Sequence, residues 1–454
     1  MNQTFYTARK TLRNYANGGT VLMAATALAL LVVNLPFLRD FYNSLWTHEI
    51  ALQVGAFNLF SHHGHPMSIM AFINDALMAV VFFTIGLEIK REVLVGELSS
   101  FRQALLPVVA AVGGMGLPVV IYILMAAGTP YAGGAAIPMA TDIAFSLGVL
   151  AMLGSRVPVS LKIFLTTLAV VDDIGGILVI AIFYSSHISF CMLAIAAGLL
   201  LILALGGRMG IQSKIFYLGI GAFVWFLFLN AGIHPTIAGV LVALCVPAKP
   251  VYAPGKYVKT IRKNIAHFAS DKDAGLESRL ILDKAQMNWL KEIESASDKV
   301  ISPLQDLEDS LHPVVNYIII PLFAFANAGI YFGDLQVSSL LSGVAPAVIL
   351  GLVAGKSIGI FLFTWIAVKL GWSSMPHSTT WRQIAGVSFL GGIGFTVSLF
   401  IANLSFGTGD PFQLQMLNNA RMGILVGSLL AGVTGWLVLY LTLPRKAESL
   451  PTEE

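Results

Sequence analysis

The sequence is poor in charged residues and in cysteine. Lys, Arg, Asp and Glu make up 11% of its 454 residues, against roughly 25% in an average soluble domain, while hydrophobic residues make up 56%. A soluble fold of this size cannot cover its surface with so few charges, whereas an apolar exterior is stable in lipid. The net charge of +3, with no basic face, argues against a nucleic-acid binder. Two cysteines, Cys191 and Cys245, both in apolar runs, cannot build a disulfide scaffold.

Apolar segments of the length that crosses a bilayer, about 20 residues, recur along the whole chain. They predict an all-α polytopic membrane protein, with membrane lipid as its surroundings and about twelve transmembrane helices. The range is about eleven to thirteen, because two neighbouring runs near 230 can be divided in other ways. The predicted spans are 18–38, 69–88, 104–127, 134–153, 158–184, 188–206, 214–229, 231–247, 313–333, 341–368, 385–406 and 414–443.

The positions of Lys and Arg between the spans predict the orientation of the chain. Every second connection carries basic residues, among them Lys90, Arg91 and Arg156, and the connections between these carry almost none. Arg421, near the outer end of the last span, is the exception. Because basic residues also precede the first span and follow the last, we expect both termini in the cytoplasm.

Residues 249–312 differ from the rest because they hold 20 of the 51 charged residues. We expect a charged cytoplasmic loop here, between a membrane domain of residues 1–248 with spans one to eight and another of residues 313–454 with spans nine to twelve. A solvated connector is the simpler interpretation, and a regulatory or partner-binding helix is the alternative. Near its end, Ser302-Pro303-Leu304-Gln305 predicts the start of a helix.

The first external connection contains a segment near 50–59 with β-branched and aromatic residues in partial alternation. This pattern predicts a short periplasmic β-hairpin. An exposed strand edge can pair with a second copy of the chain. A hairpin that packs on its own bundle is the alternative.

A few ionisable residues lie at membrane depth, where a charge costs at least ~2.5–3.5 kcal/mol and is a functional candidate by default. The adjacent pair Asp172 and Asp173 is the most informative, because burial and mutual repulsion both disfavour two charges there. Carboxylate oxygens suit hard cations, so we expect this pair to exchange protons for a cation. A purely structural ion pair with Lys356 is the alternative, although one lysine cannot neutralise several acids. The other candidates are Asp75, Asp142, Glu88, Glu92 and His234.

For Asp75 and His234 a structural interpretation is equally open. Asp75 could make a polar contact between helices, and His234 could be a satisfied polar residue at the end of a span.

Two predicted spans are interrupted by Gly and Pro, one at Gly133–Asp142 and the other at Gly391–Ser398. The backbone groups freed by such breaks must face a cavity or buried protein. In the predicted topology the two spans run in opposite directions, which is typical of transporters built from inverted repeats.

Several strings of residues, in order along nearly the whole chain, resemble the NhaA family of bacterial sodium/proton antiporters. The segment 249–312 is longer than we expect for compact members of that family, so the resemblance says nothing about regulation by this segment. The matching strings are Asn74–Val80, Gly86–Glu92, Ala140–Phe145, Leu161–Leu165 followed by Asp172-Asp173, Pro321–Gly329, Gly355-Lys356 and Gly392–Thr396.

The resemblance implies a fold of inverted-topology repeats in which two broken helices cross, and it implies a role for each candidate. Asp173 matches the principal carboxylate that binds the cation. Asp172 matches its neighbour, which pairs with the lysine matched by Lys356. Thr141 and Asp142 match the residues of a broken helix beside the site.

The resemblance also assigns a response to pH at the cytoplasmic side to the positions of Glu88, Glu92 and His234. Asp75 remains a secondary candidate.

The resemblance further implies a secondary active antiporter that exports Na⁺ or Li⁺ in exchange for periplasmic protons. It implies electrogenic, pH-regulated exchange across the bacterial inner membrane, for sodium and pH homeostasis, by a homodimer joined through the hairpin near 50–59. We expect no enzyme activity, and no cofactor besides the transported ions.

Two functions of other classes are weaker alternatives. A passive cation channel needs no competition with protons. An intramembrane aspartyl protease needs carboxylates on two facing helices, whereas Asp172 and Asp173 project about 100° apart from one helix.

Overall fold

The computed structural model describes residues 18–51, 53–54, 57–58, 60–62, 65–185, 188–250, 254–270, 284–334, 343–407 and 410–444. Within these ranges the protein is an all-α membrane bundle with a small β region. The basic residues before the first span and after the last lie outside the described residues.

Helices form most of the first half of the bundle. Proline at the first position begins α2 and α9, where the missing N–H has no partner to lose. The helices are α1 (Gly18–Asn34), α2 (Pro36–Thr47), α3 (Ile69–Val95), α4 (Phe101–Ala126), α5 (Ile143–Ala151), α6 (Val159–Phe183), α7 (Phe190–Arg208), α8 (Lys214–Ala231) and α9 (Pro235–Cys245).

The second half begins with two helices that pack on each other, where Asn264 Nδ2 donates to Glu292 Oε2 at 2.9 Å. The spans that follow begin at clear caps: the Thr380 hydroxyl accepts from Gln383 N, and the Gln383 side chain accepts from Thr380 N. These helices are α10 (Pro254–Ser270), α11 (Lys284–Val300), α12 (Pro303–Asn327), α13 (Val344–Lys369), α14 (Trp381–Gly391), α15 (Phe395–Phe406) and α16 (Pro411–Thr442).

The prediction of a polytopic helical membrane protein is confirmed. Nine helices in the described ranges are long and apolar enough to cross a membrane, and two bent pairs raise the number to eleven. One pair is α1 with α2, bent by 113°, and the other is α14 with α15, bent by 41°. The shorter apolar helix α9 lies where the eighth span is predicted, so the expected number of about twelve is reached when α9 is included.

Several span boundaries differ from the prediction, and three of these differences have a clear physical cause. The first span ends at Asn34 because Pro36 starts a second helix in a new direction. α3 continues past the predicted end at 88 to Val95, and α12 begins at Pro303, before the predicted start at 313. Both extensions carry charged residues. A hydropathy criterion excludes such residues from a span, although a helix can contain them when they are paired.

The predicted helix start is confirmed, since Ser302 Oγ accepts a hydrogen bond from Gln305 N at 3.3 Å.

The predicted hairpin near 50–59 is confirmed by the pairing of strands β2 and β3, in which Gln53 lies opposite Asn58 and Val54 opposite Phe57. The β region also continues to Ser68, because β5 pairs antiparallel with both β1 and β4. The strands are β1 (Glu49–Ile50), β2 (Gln53–Val54), β3 (Phe57–Asn58), β4 (Ser61–His62) and β5 (His65–Ser68).

Both predicted breaks are present, and the two broken spans cross in antiparallel directions. The fourth span passes from a short helical turn at Ile137–Met139 through extended residues into α5, and the eleventh breaks between α14 and α15. Ser398 Oγ donates to Ile137 O at 2.7 Å, and Ser146 Oγ donates to Leu390 O at 2.9 Å. The half before each break therefore contacts the half after the other, as the inverted orientation requires.

Two spans contain a wide π-helical turn at a candidate residue. The turn Phe72–Leu77 in α3 includes Asp75, and the turn Gly351–Lys356 in α13 ends at Lys356. Such turns occur frequently at functional sites. Beside the second turn, α4 and α13 pack closely where Gly113 faces Gly359, since a side chain at Gly359 would collide with the carbonyl oxygen of Gly113.

Candidate functional site

Asp142 lies where two helices begin. Its Oδ1 accepts a hydrogen bond from Phe145 N at 2.9 Å and so caps α5. Its Oδ2 accepts from Thr396 N at 3.0 Å and from Thr396 Oγ1 at 2.6 Å, in the first turn of α15. A negative charge is stabilised at a helix N-terminus, and here one buried carboxylate serves two of them. The adjacent backbone is also paired, since Asp142 N donates to Ile393 O at 2.7 Å.

The opposite ends of the two breaks expose carbonyl oxygens, and these contact Lys356 and Thr141. Lys356 Nζ, fully buried, donates to Met139 O at the end of the short turn before the first break. Thr141 Oγ1 lies 2.9 Å from Gly391 O at the end of α14. A cation is stabilised at a helix C-terminus. Lys356 and Asp142 therefore offset the partial charges of the facing half-helices from opposite sides.

The adjacent carboxylates on α6 have different surroundings. Asp172 Oδ2 lies 2.8 Å from Lys356 Nζ and 2.6 Å from Thr141 Oγ1, in a fully buried position. Asp173 lines a cavity, and its carboxylate has no hydrogen-bond or ion-pair partner among the described residues. Asp172 is therefore held by the protein, and Asp173 is open to a ligand that enters the cavity.

The cavity gives Asp173 a route to one end of the bundle. Its volume is about 470 Å³, which is large enough for several water molecules. From Asp173, Thr141 and Asp142 it runs to Glu88 and Glu92 near the end of α3. The structure thus joins the predicted carboxylate site and two of the predicted pH-response residues in one space.

A second set of charges lies at the mouth of this cavity. Arg91 Nη1 lies 2.8 Å from Glu308 Oε1, and Arg91 Nη2 lies 3.1 Å from Glu92 Oε1. Sequence reasoning missed Glu308, which it placed in the charged loop. The cap at Ser302, followed by an amphipathic pattern, was the available signal that Glu308 lies on a helix directed at the bundle.

The structure brings Asp75 and His234 together, away from Glu88 and Glu92. His234 Nε2 lies 3.7 Å from Asp75 Oδ1, and Trp225 Nε1 donates to the backbone oxygen of Asp75 at 3.1 Å. The expectation that His234 lies at the same end of the bundle as Glu88 is therefore wrong, while its assignment to the response to pH stays a prediction. His234 precedes α9, which packs along α3, and it lies at the end of α3 that holds Asp75.

We expect Asp142→Ala to lower the free energy of unfolding by about 3 kcal/mol, since it removes a helix cap and the charge-assisted bonds to Thr396. Thermal denaturation of the purified protein in detergent measures the effect. Asp410→Ala is the matched control, because Asp410 caps α16 at an exposed position, where its Oδ1 accepts from Phe412 N at 3.4 Å. Equal melting temperatures for the two variants would show that Asp142 does not join the breaks.

Comparison with known proteins gives a consistent result over nearly the whole chain. Residues 9–439 match the family described as Na+/H+ antiporter 1. The Na(+)/H(+) antiporter NhaA of Phocaeicola vulgatus is 57% identical over 438 residues, which cover 95% of each chain. The NhaA of Bacteroides thetaiotaomicron is 51% identical over 443 residues, 96% of this chain and 99% of its own.

A more distant relative agrees with these two. The Na(+)/H(+) antiporter NhaA 2 of Syntrophotalea carbinolica is 43% identical over 439 residues, 96% of each chain. With a match of this extent and with relatives this similar, the chain belongs to the Na⁺/H⁺ antiporter 1 family.

Proposed function

We propose that the protein is a sodium/proton antiporter in which Na⁺, or Li⁺, and protons compete for the carboxylates of Asp172 and Asp173. The observation that carries the proposal is the open carboxylate of Asp173 at the end of a cavity, beside Asp172, which Lys356 and Thr141 hold. The relatives, which are named Na⁺/H⁺ antiporters, support the same exchange.

The exchange follows from competition at one site. When the site faces the cytoplasm, the deprotonated carboxylates accept Na⁺ through the cavity. The bundle then opens outward, external protons displace the ion, and the protonated site returns. A site that holds neither ligand carries uncompensated buried charge, which disfavours crossing and so couples the two fluxes.

The crossing breaks prepare the site for a cation. Asp142 and Lys356 already offset the charges at the half-helix ends, so an entering ion meets a site whose backbone needs no new partner. Thr141 Oγ1, bonded to Asp172, fixes the position of that carboxylate, whereas the carboxylate of Asp173 makes no such bond within the described residues.

The direction of transport rests on the orientation of the bundle. The cavity opens at the end where Lys90, Arg91 and Arg102 lie, which favours the cytoplasmic side. Both termini in the cytoplasm of a bacterial inner membrane, a charged loop at 249–312 between two membrane domains and a role in sodium and pH homeostasis belong to the same proposal. Glu88 and Glu92 at the mouth of the cavity are its pH-response candidates, and Asp75 with His234 forms a separate secondary pair.

Two further properties are proposed from the family relationship and the strands. If more protons enter than Na⁺ ions leave, each net charge moved is worth ~2.3 kcal/mol per 100 mV, and the membrane potential drives export. The hairpin β2–β3 is the proposed contact of a homodimer, since a strand edge can pair with its copy.

Competition predicts how the apparent affinity for Na⁺ depends on pH. Where protons occupy the site, each fall of one pH unit raises the half-saturating Na⁺ concentration about tenfold per competing proton, and the maximal current is unchanged. Currents on a solid-supported membrane, measured over a range of Na⁺ concentrations at several pH values, provide the test. A half-saturating concentration that stays constant while the maximal current falls would contradict competition.

A further inference from the structure

A partly buried chain of polar side chains joins four spans near the outer end of the bundle. Asn327 Nδ2, on α12, donates to Asn74 Oδ1, on α3, at 2.9 Å. Asn403 Nδ2, on α15, donates to Asn327 Oδ1 at 2.7 Å. Arg421 Nη2, on α16, donates to Asn403 Oδ1 at 3.0 Å. We call these four residues the asparagine chain.

The asparagine chain lies at the opposite end of the bundle from the mouth of the cavity. Asn74 is near the start of α3, and Glu88, at the mouth of the cavity, lies further along the same helix. Because an α-helix rises ~1.5 Å per residue, the two residues are about 20 Å apart. Asn327 ends α12, whose first turns carry the Glu308 that pairs with Arg91. None of the four residues lines the cavity in the part of the chain that the structure describes.

An aromatic layer separates the cavity from the asparagine chain. Phe400, fully buried on α15, packs against Phe82 and Phe323 with ring centroids 5.5 and 6.4 Å apart. Both partners line the cavity. On another side Phe400 contacts His234, at 5.2 Å. Asp173 therefore has an open path in one direction and two layers of packed side chains in the other.

The asparagine chain links two groups of helices, which meet at the bond between Asn327 and Asn403. Asn403 lies on α15, whose Thr396 bonds to Asp142, and Arg421 lies on α16, which packs on α13 and α14. These helices all belong to the site. Asn327 lies on α12, which packs on α1 and is bonded to α3 through Asn74. The bond between Asn327 and Asn403 therefore joins α15, one of the two broken spans, to α12 and α3, which line the opposite wall of the cavity.

Arg421 adds an electrostatic barrier to the same layer. Its side chain is buried, has no acidic partner among the described residues and leaves Nε without a hydrogen bond there. A fixed positive charge at this depth repels a cation. Na⁺ that leaves Asp173 on the outer path then meets this charge, whereas the path along the cavity passes the acids Glu88 and Glu92.

From these contacts we propose that the asparagine chain and Phe400 form the outer closure of the exchange site, and that the site opens outward by separation of Asn403 from Asn327. The inference rests on the proposed exchange function, and it assigns positioning roles to residues that hold no ion. Polar contacts between helices in membranes are individually modest, which suits a contact that must break in every cycle.

A reversible crosslink across this bond tests the proposal. The variant Asn327→Cys with Asn403→Cys, in a background with Cys191→Ser and Cys245→Ser, is reconstituted in proteoliposomes and treated with a short bifunctional methanethiosulfonate. We expect the crosslink to lower Na⁺-driven proton exchange at least about tenfold, because opening limits the cycle, and a reducing agent to restore it. Binding of ²²Na⁺ in detergent should persist, since the cavity stays open. Crosslinked protein that exchanges at the rate of the reduced protein would overturn the proposal.

Removal of the bond between Asn327 and Asn403, without a crosslink, should make outward opening of the site easier. In a chain whose only cysteine is Ala402→Cys, we expect Asn403→Leu to raise labelling by an impermeant maleimide from outside about tenfold, because the closed state loses a contact. Asn230→Leu, on α8 and outside the asparagine chain, is the matched control. Equal labelling of the two variants would contradict the closure. The labelling does not depend on transport, so a protein that exchanges no ions but labels as expected refutes only the proposed function.

Discussion

Replacement of Asp173 by Asn abolishes Na⁺-driven proton exchange, by an expected factor of about a hundred or more. The amide has nearly the volume of the carboxylate, so the packing of α6 is preserved. It has no negative charge for Na⁺, and it cannot release a proton. Both halves of the exchange therefore fail together. The change in ΔpH on addition of Na⁺ to everted membrane vesicles, followed with a fluorescent amine, measures the effect.

Two controls make the result specific to the site. Asp410→Asn changes an exposed acid at the start of α16 and should leave exchange at the wild-type rate. The amount of inserted protein and its melting temperature should be close to wild type in both variants, because Asp173 has no partner among the described residues. Exchange retained by Asp173→Asn would refute the assignment of this carboxylate.

Lys356→Ala has the largest expected effect on stability, a loss of about 3–5 kcal/mol in the free energy of unfolding. The lysine is fully buried and lies 2.8 Å from Asp172. Its removal leaves a buried carboxylate that keeps only the contact with Thr141, and it leaves Met139 O without a donor. Thermal denaturation in detergent should show the loss as a fall in melting temperature.

A double-mutant cycle separates the ion pair from general disruption. Lys356→Met combined with Asp172→Asn removes both charges and keeps similar volumes. We expect the double variant to be more stable than Lys356→Met alone, since loss of one partner of a buried pair costs more than replacement of both. Additive losses, or a melting curve unchanged in the single variant, would show that the contact between Lys356 and Asp172 is energetically unimportant.

Much of the fold could be predicted from the sequence, because few backbone structures are stable in a bilayer. Backbone groups in lipid must be paired internally, so a long apolar run predicts a helix. The same logic failed where charges neutralise each other between distant segments. Arg91 and Glu308 form an ion pair that no local pattern reveals, and for this reason α3 and α12 extend beyond their predicted bounds.

The candidate site could be predicted in its residue types but only partly in its contacts. Buried acids stand out against an apolar background, so Asp142, Asp172 and Asp173 were found. Thr396, which donates twice to Asp142 from a distant span, was not singled out, because a threonine in an apolar run is common.

The polar groups of the outer closure escaped sequence reasoning for a similar reason. Asn327 and Asn403 carry no charge, and their contact depends on the way two distant spans pack. His234 was grouped with Glu88 through the family resemblance alone, although the predicted topology already begins span eight, which contains His234, on the outer side.

The central claim is that protons and Na⁺ exchange at Asp173, and direct measurement of released protons tests it without any transport. Na⁺ is added to purified protein in detergent with very little buffer, and a pH indicator records the protons that appear. The account predicts release that saturates with Na⁺ in the wild-type protein and none in Asp173→Asn. Na⁺ binding without proton release in the wild type, or equal release by both proteins, would contradict it.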